Sequence, residues 1–241
     1  ILLIEATRRV VGWPMILVAL FFITYSFLGP YMPGVLAHRG LGWEELVGHL
    51  YFTTEGVFGI PLGVSSTFIF LFILFGAYLE TTGLGKFFID LSNALAGWAA
   101  GGPAKVAVLS SGLMGTVSGS SVANVAGTGS FTIPMMKKLG YRPEFAGAVE
   151  AAASTGGQLM PPVMGAAAFL MAEFVGVPYI DVVKAATIPA LLYYVGVWLG
   201  VHYEAKKYGL KGTPRELLPK FKDLLFEKGH LAIPLIVIVY L

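Results

Sequence analysis

Residues 106–136 read VAVLSSGLMGTVSGSSVANVAGTGSFTIPMM, 31 positions without a single Asp, Glu, Lys or Arg. As one helix this run would be about 46 Å long, well beyond a hydrocarbon core of about 30 Å. Its centre, MGTVSGSSVANVAGTGS, is polar and glycine-rich, whereas its flanks, AKVAVLSSGL and SFTIPMM, are apolar. Glycine and clustered small polar residues interrupt helices, so the run reads as two half-helices joined at a tip. This is a hairpin that enters and leaves a membrane on one side.

The rest of the chain agrees with a bilayer. Of 241 residues, 56% are hydrophobic and 12% charged, about half the usual charged fraction. The 31 glycines and 14 prolines fall within apolar runs, which excludes a disordered, low-complexity polymer. A net charge of +2 gives no footprint for nucleic acid, and the absence of cysteine excludes disulfides, thiolate metal sites and cysteine nucleophiles. Further uncharged runs span residues 10–29, 56–79, 151–172, 185–203 and 231–241. The last has only eleven residues, LAIPLIVIVYL, and the first residue is Ile1, so the chain is expected to be part of a larger protein. The stretch after Arg8 and Arg9 lacks a small-residue cleavage site and reads as a retained span.

Charge asymmetry decides between a hairpin and a straight span, because Lys and Arg in short loops gather on the cytoplasmic side. With a hairpin and Arg8 and Arg9 inside, fourteen positive residues lie inside, and only Arg39 and Lys184 lie outside. A straight span leaves five inside and eleven outside. The hairpin is the arrangement the charges support. Two amphipathic segments, one with Phe87, Phe88, Leu91, Leu95 and Trp98 and one with Leu217, Leu218, Phe221, Leu224 and Leu225, read as interfacial helices on the cytoplasmic surface.

Non-helical backbone at membrane depth must be buried in protein or used to bind something. Two such breaks are expected. One is the tip, Ser118, Gly119, Ser120, Ser121, Val122, Ala123 and Asn124. It offers hydroxyl and amide oxygens, free carbonyls suited to Na⁺, and a helix N-terminus suited to a carboxylate. Helix packing through small residues accounts for Gly115 and Gly119 at four-residue spacing, but not for the polar cluster at the midpoint of the run. The second is Ser154, Thr155, Gly156, Gly157 and Gln158 followed by Pro161 and Pro162, where paired prolines unwind the span near Gly157 and Gln158; a simple proline kink is the blander reading.

Glu150 and Glu173 lie at the two ends of one span, where carboxylates are usually solvated, and neither is singled out as a proton relay. Coupling would then rest on neutral oxygens, which favours Na⁺. His38, His49, His202 and His230 fall in loops or near span ends, leaving the serine cluster without a catalytic base and the chain without a clustered metal site. No GxxxxGK phosphate loop is present. The chain reads as a non-enzyme that uses no cofactor beyond a coupling ion.

Residues 111–179, SGLMGTVSGSSVANVAGTGSFTIPMMKKLGYRPEFAGAVEAAASTGGQLMPPVMGAAAFLMAEFVGVPY, resemble the large membrane subunit of tripartite ATP-independent periplasmic (TRAP) transporters. The flanking ATRRVVGWP, FLGPYMPG and LYFTTEGVFGIPLGVS resemble the fused permeases in which small and large membrane subunits share one chain, which work with TAXI-type binding proteins. The resemblance implies an all-α, polytopic elevator-type transporter of the cytoplasmic membrane, with a re-entrant hairpin and a broken helix in its first inverted repeat. It implies a small-subunit-like end and linker over residues 1–45 and a first repeat over 46–213, with the hairpin at 103–138. An interfacial helix and the start of the next span would occupy 214–241. The implied function is Na⁺-driven symport of small organic anions such as carboxylates, delivered by a periplasmic TAXI-type protein. The implied cation residues are Ser118, Gly119, Ser120, Ser154, Thr155 and Gly156; the implied substrate residues are Ser120, Ser121, Asn124, Gln158, Pro161 and Pro162. A channel would instead carry a continuous polar stripe, which residues 10–29 and 185–203 lack, and a non-transporting scaffold would tolerate loss of Ser120 and Asn124 together.

Overall fold

A computed structural model of the chain describes residues 2–233 and 237. The truncated span expected over 231–241 therefore falls largely outside the described residues. All regular elements among the described residues are helical, and they form two compact units, Ile1–Leu62 and Gly63–Leu241.

The first unit contains α1 (Leu2–Val10), α2 (Trp13–Leu28) and α3 (Trp43–Phe52). Pro14 at the start of α2 lacks an N–H that a helix would leave unpaired there, so it starts the span without loss. After α2, the Tyr25 hydroxyl donates to the Leu36 carbonyl at 2.7 Å, and the Phe27 and Trp43 rings stack with centroids 6.0 Å apart.

In the second unit, α4 (Ile60–Val64), which falls across the boundary between the units, runs through a π-turn at Ser65–Ile69 into α5 (Phe70–Thr81). Then come α6 (Leu84–Ala96), α7 (Gly102–Ser118), α8 (Ser121–Lys138), α9 (Pro143–Gly156), α10 (Ala166–Val175), α11 (Tyr179–Lys207) and α12 (Phe221–Lys228). The overlong run is thus two helices of 17 and 18 residues, each about 26 Å long, separated by Gly119 and Ser120. They pack on each other as a helical hairpin.

α7 is the centre of this unit. It packs against α6, α8 and α9, and small residues let their backbones approach it closely. Ala104, Ala107 and Val108 of α7 form one core with Ala146, Val149 and Ala153 of α9 and with Val201 and Ala205 of α11. A second core joins Met114 and Val117 to Leu79, Leu84, Phe87, Phe88 and Leu224. A helix buried on nearly every side has no polar face to give up, which is why α7 is not amphipathic.

The outer helices show the opposite pattern. Ile188, Leu191, Leu192, Val195 and Leu199 of α11 are all exposed, a continuous apolar surface suited to lipid. Trp13–Tyr31, Ile60–Thr81 and Tyr179–Lys207 are long and apolar enough to cross a membrane. Each amphipathic segment is divided between core and surface: Phe87 and Phe88 of the first and Leu224 of the second are buried, while Leu95 and Trp98 of the first and Leu217, Phe221 and Leu225 of the second are exposed. Lys228 of α12 pairs with Asp90 of α6 at 3.2 Å.

Candidate functional site

The tip is shaped by backbone chemistry. α7 ends at Gly119, whose φ of 56° lies in the left-handed region and whose N–H donates to the Gly115 carbonyl at 3.3 Å. Ser120 then caps α8, its hydroxyl accepting from the Ala123 N–H at 3.3 Å. Asn124 is fully buried and donates through Nδ2 to the Ser111 carbonyl at 2.7 Å, pinning the outgoing helix to the incoming one.

The second break also forms where the prolines place it. α9 stops at Gly156, and the loop to α10 closes with the Gly165 N–H donating to the Gln158 carbonyl at 2.8 Å. Tyr179, at the start of α11, reaches back with its hydroxyl 2.9 Å from the Pro162 carbonyl and 2.7 Å from that of Val163. Its ring stacks on Phe169 with centroids 4.3 Å apart.

The two breaks meet. A Cβ on Gly119 would lie 1.8 Å from the Met164 carbonyl oxygen, and one on Gly115 would lie 2.4 Å from the Gly157 Cα, so only glycine permits the contact at either point. Gln158 Nε2 donates to Ser121 Oγ at 2.9 Å across the same junction. Beside it lies a cavity of about 420 Å³ lined by Ser118, Gly119, Ser120, Gln158 and Gly165, with Ile69 and Phe72 from the other side. The C-terminus of α7 at Ser118 and the N-termini of α8 at Ser120 and of α10 at Ala166 border this cavity, ends that carry opposite partial charge. Ser118 Oγ is buried and has no hydrogen-bond partner among the described residues.

The expected site residues divide accordingly. Ser118, Gly119, Ser120 and Gln158 line the cavity. Ser121 and Asn124 hold the junction together. Thr155 is exposed and bonds its own helix at the Ala151 carbonyl, and Gly156 packs against the Tyr193 and Tyr194 rings. Pro161 and Pro162 shape the loop without lining the cavity. Ser154 is fully buried and turns away from it, donating to Glu150 Oε1 at 3.1 Å.

Glu150 is the main departure from expectation. It is not a solvated span end but fully buried, because α9 begins at Pro143 and carries it two turns into the bundle. Ser111 Oγ lies 2.9 Å and Thr128 Oγ1 2.6 Å from its Oε1, and Thr132 Oγ1 contacts its Oε2. The signal was present as polar residues at four-residue spacing, Asn124, Thr128 and Thr132 on α8 and Glu150 and Ser154 on α9, which share a helix face. Lys105 is likewise buried at the start of α7, its Nζ 3.0 Å from His202 Nδ1 and above the Trp198 ring.

The family model of the tripartite ATP-independent periplasmic transporter DctM component matches residues 1–241. The C4-dicarboxylate TRAP transporter large permease protein DctM of Pseudomonas aeruginosa is 33% identical over 144 residues, 60% of this chain and 33% of its own length. The protein of the same name from Vibrio cholerae is 28% identical over 216 residues, 86% of this chain and 46% of its own. The isethionate TRAP transporter permease protein DctMQ of Oleidesulfovibrio alaskensis is 30% identical over 176 residues, 69% of this chain and 26% of its own. The chain thus spans a quarter to a half of the length of these relatives. With its full length matched and three membrane-capable helices among the described residues, it belongs to the DctM family of TRAP transporter large permeases, multi-pass proteins of the inner membrane.

Proposed function

We propose that the permease to which this chain belongs is a Na⁺-coupled symporter of small organic anions, carboxylates foremost, supplied by a periplasmic binding protein of the TAXI type. The observation that carries this reading is the convergence of two broken elements on one cavity lined by Ser118, whose buried hydroxyl has no hydrogen-bond partner among the described residues. Helix ends of opposite sign border that cavity, so a cation can sit on carbonyl and hydroxyl oxygens while a carboxylate meets free N–H groups. The named substrates of relatives, C4-dicarboxylates and isethionate, are small organic anions. In this reading the hairpin is re-entrant, and it moves with the broken helix against the outer spans to alternate access. The permease is of the fused type, with small and large membrane subunits in one chain.

Ser118→Ala in the intact permease tests it. The hydroxyl has no protein partner among the described residues, so its loss is expected to leave folding unchanged while removing a Na⁺ ligand. In proteoliposomes with the binding protein, succinate uptake driven by a Na⁺ gradient is expected to fall about tenfold, the equivalent of about 1.4 kcal/mol, with half-saturation shifted to higher Na⁺. Wild-type uptake that ignores the Na⁺ gradient, or a variant with unchanged Na⁺ dependence, would sink the reading.

A further inference from the structure

We propose that the cavity between α6, the outgoing arm of the hairpin and the strap that follows α11 is a binding site for one anionic phospholipid. The site stands on the geometry of that cavity and on residence in a membrane, independently of the transport reading above.

Shape and polarity lead to it. The cavity holds about 610 Å³, within the range of about 300–1,000 Å³ usual for small-molecule sites. One wall follows α8 and its C-cap over residues 130–139, about 13 Å along the helix axis and close to half of a hydrocarbon core of about 30 Å. The strap, residues 213–219, supplies Leu217, Leu218 and Pro219 to the wall, and the Thr213 N–H ties it to the Gly97 carbonyl at the end of α6 at 2.8 Å. Polarity is graded along this length. Phe131, Pro134 and Met135 line the end nearer the hairpin tip, and Lys138 lines the end at the hairpin base. The Ser130 hydroxyl at the apolar end donates to the Gly127 carbonyl of its own helix at 3.1 Å. An acyl chain matches the apolar end, and a phosphate matches the other.

Charge makes the headgroup anionic. Lys138 is exposed and, among the described residues, forms no ion pair. Asp90, the acid on the wall, is held by Lys228 at 3.2 Å. Asn93 and Thr213 add an amide and a hydroxyl, both able to donate to phosphate or glycerol oxygens. The headgroup level is marked beside them: the Arg215 guanidinium lies 5.0 Å from the centre of the Trp98 ring, and tryptophan and arginine gather where a bilayer meets water. Basic pockets between helices at the cytoplasmic face suit anionic lipid heads. Size and rim exclude other occupants. A helix from the rest of the permease, about 10–12 Å across, would fill this volume with little more than one turn. A site for a soluble metabolite would leave Phe131 and Leu217, 61% and 76% exposed, as an apolar rim in water.

Fluorescence quenching in the intact permease tests this, because bromine on an acyl chain quenches indole on contact. Phe131→Trp places a reporter at the apolar end, and the permease without that substitution gives the background to subtract. In phosphatidylcholine nanodiscs, brominated phosphatidylglycerol added as a minor component is expected to quench the reporter about fivefold more effectively than brominated phosphatidylcholine. Adding Lys138→Gln is expected to make the two lipids equal. Equal quenching with Lys138 in place overturns the proposal, as does a preference that Lys138→Gln leaves intact. A reporter that neither lipid reaches overturns it too, because another segment of the permease then fills the cavity. So does a preference abolished by free glycerol phosphate, because the occupant is then a soluble anion. Should Phe131→Trp fail to fold, Leu217→Trp on the strap carries the same test. Lys138 does not line the cavity at the tip, so loss of the lipid preference and a failure of Na⁺-driven uptake are separate results.

Discussion

Gly119 carries two constraints that no other residue meets. Its φ of 56° costs an L residue about 1–2 kcal/mol, and its missing side chain admits the Met164 carbonyl, a backbone atom that cannot swing aside. Gly119→Ala is therefore expected to destabilise the intact permease by more than about 2 kcal/mol. Thermal unfolding in detergent should show a clear drop in midpoint, and an unchanged midpoint would mean the tip and the Met164 loop do not pack this closely. Residues of this kind are legible from sequence, because a glycine at the centre of an overlong run has a local reason to be there. Ser154 and Glu150 are legible only as members of a polar helix face. Spacing places a serine near the break but does not say which way its hydroxyl turns, and mapping spans by uncharged runs makes every carboxylate a boundary. Glu150 violates that map because four hydroxyls from three helices surround it, a grouping that exists only once α7, α8 and α9 are packed.

Among the elements, the break between α9 and α10 is written in the chain more plainly than the turn inside the first span of the same unit. Pro161 and Pro162 cannot donate hydrogen bonds and obstruct the preceding turn, so α9 must end, and it does so at Gly156. The π-turn at Ser65–Ile69 has no such local cause; there the Ser66 and Thr67 hydroxyls both bond the Gly63 carbonyl, and Ile69 borders the cavity. What steadies the proline loop is distant in sequence. Tyr179 satisfies carbonyls that unwinding leaves free, and burial of its hydroxyl would be costly without them. Tyr179→Phe keeps the stack on Phe169 and loses the hydrogen bond, a change of about 1 kcal/mol. Hydrogen exchange in the intact permease is expected to quicken over residues 157–165 and to stay unchanged in α7. Exchange that rises evenly across the bundle would show that the tyrosine supports the whole unit and not the loop.

At the scale of the whole second unit, charge and packing agree on an orientation. α7 and α8 are antiparallel halves, so Lys105 at the start of one and Lys137 and Lys138 at the end of the other share the base of the hairpin. The C-terminal end of α11 meets that base: the Gly101 N–H donates to the Leu210 carbonyl at 3.1 Å, which brings Lys206 and Lys207 to the same side. The N-terminal end of α11 lies instead by the proline loop, held there by Tyr179, and Lys184 follows it one turn later. One end of this unit is therefore strongly basic and the other is not, as expected when the base faces the cytoplasm. Lys138 and Lys184 are both exposed, whereas Lys105 is too buried to report on sidedness. Lys138→Cys and Lys184→Cys, made singly in a permease otherwise free of cysteine, should behave oppositely toward a membrane-impermeant thiol reagent added to intact cells. Lys184→Cys is expected to label at once, and Lys138→Cys only after the membrane is opened. Labelling of both from outside would place the base of the hairpin across the bilayer from its basic partners' expected side, and the re-entrant reading of residues 103–138 would fall with it.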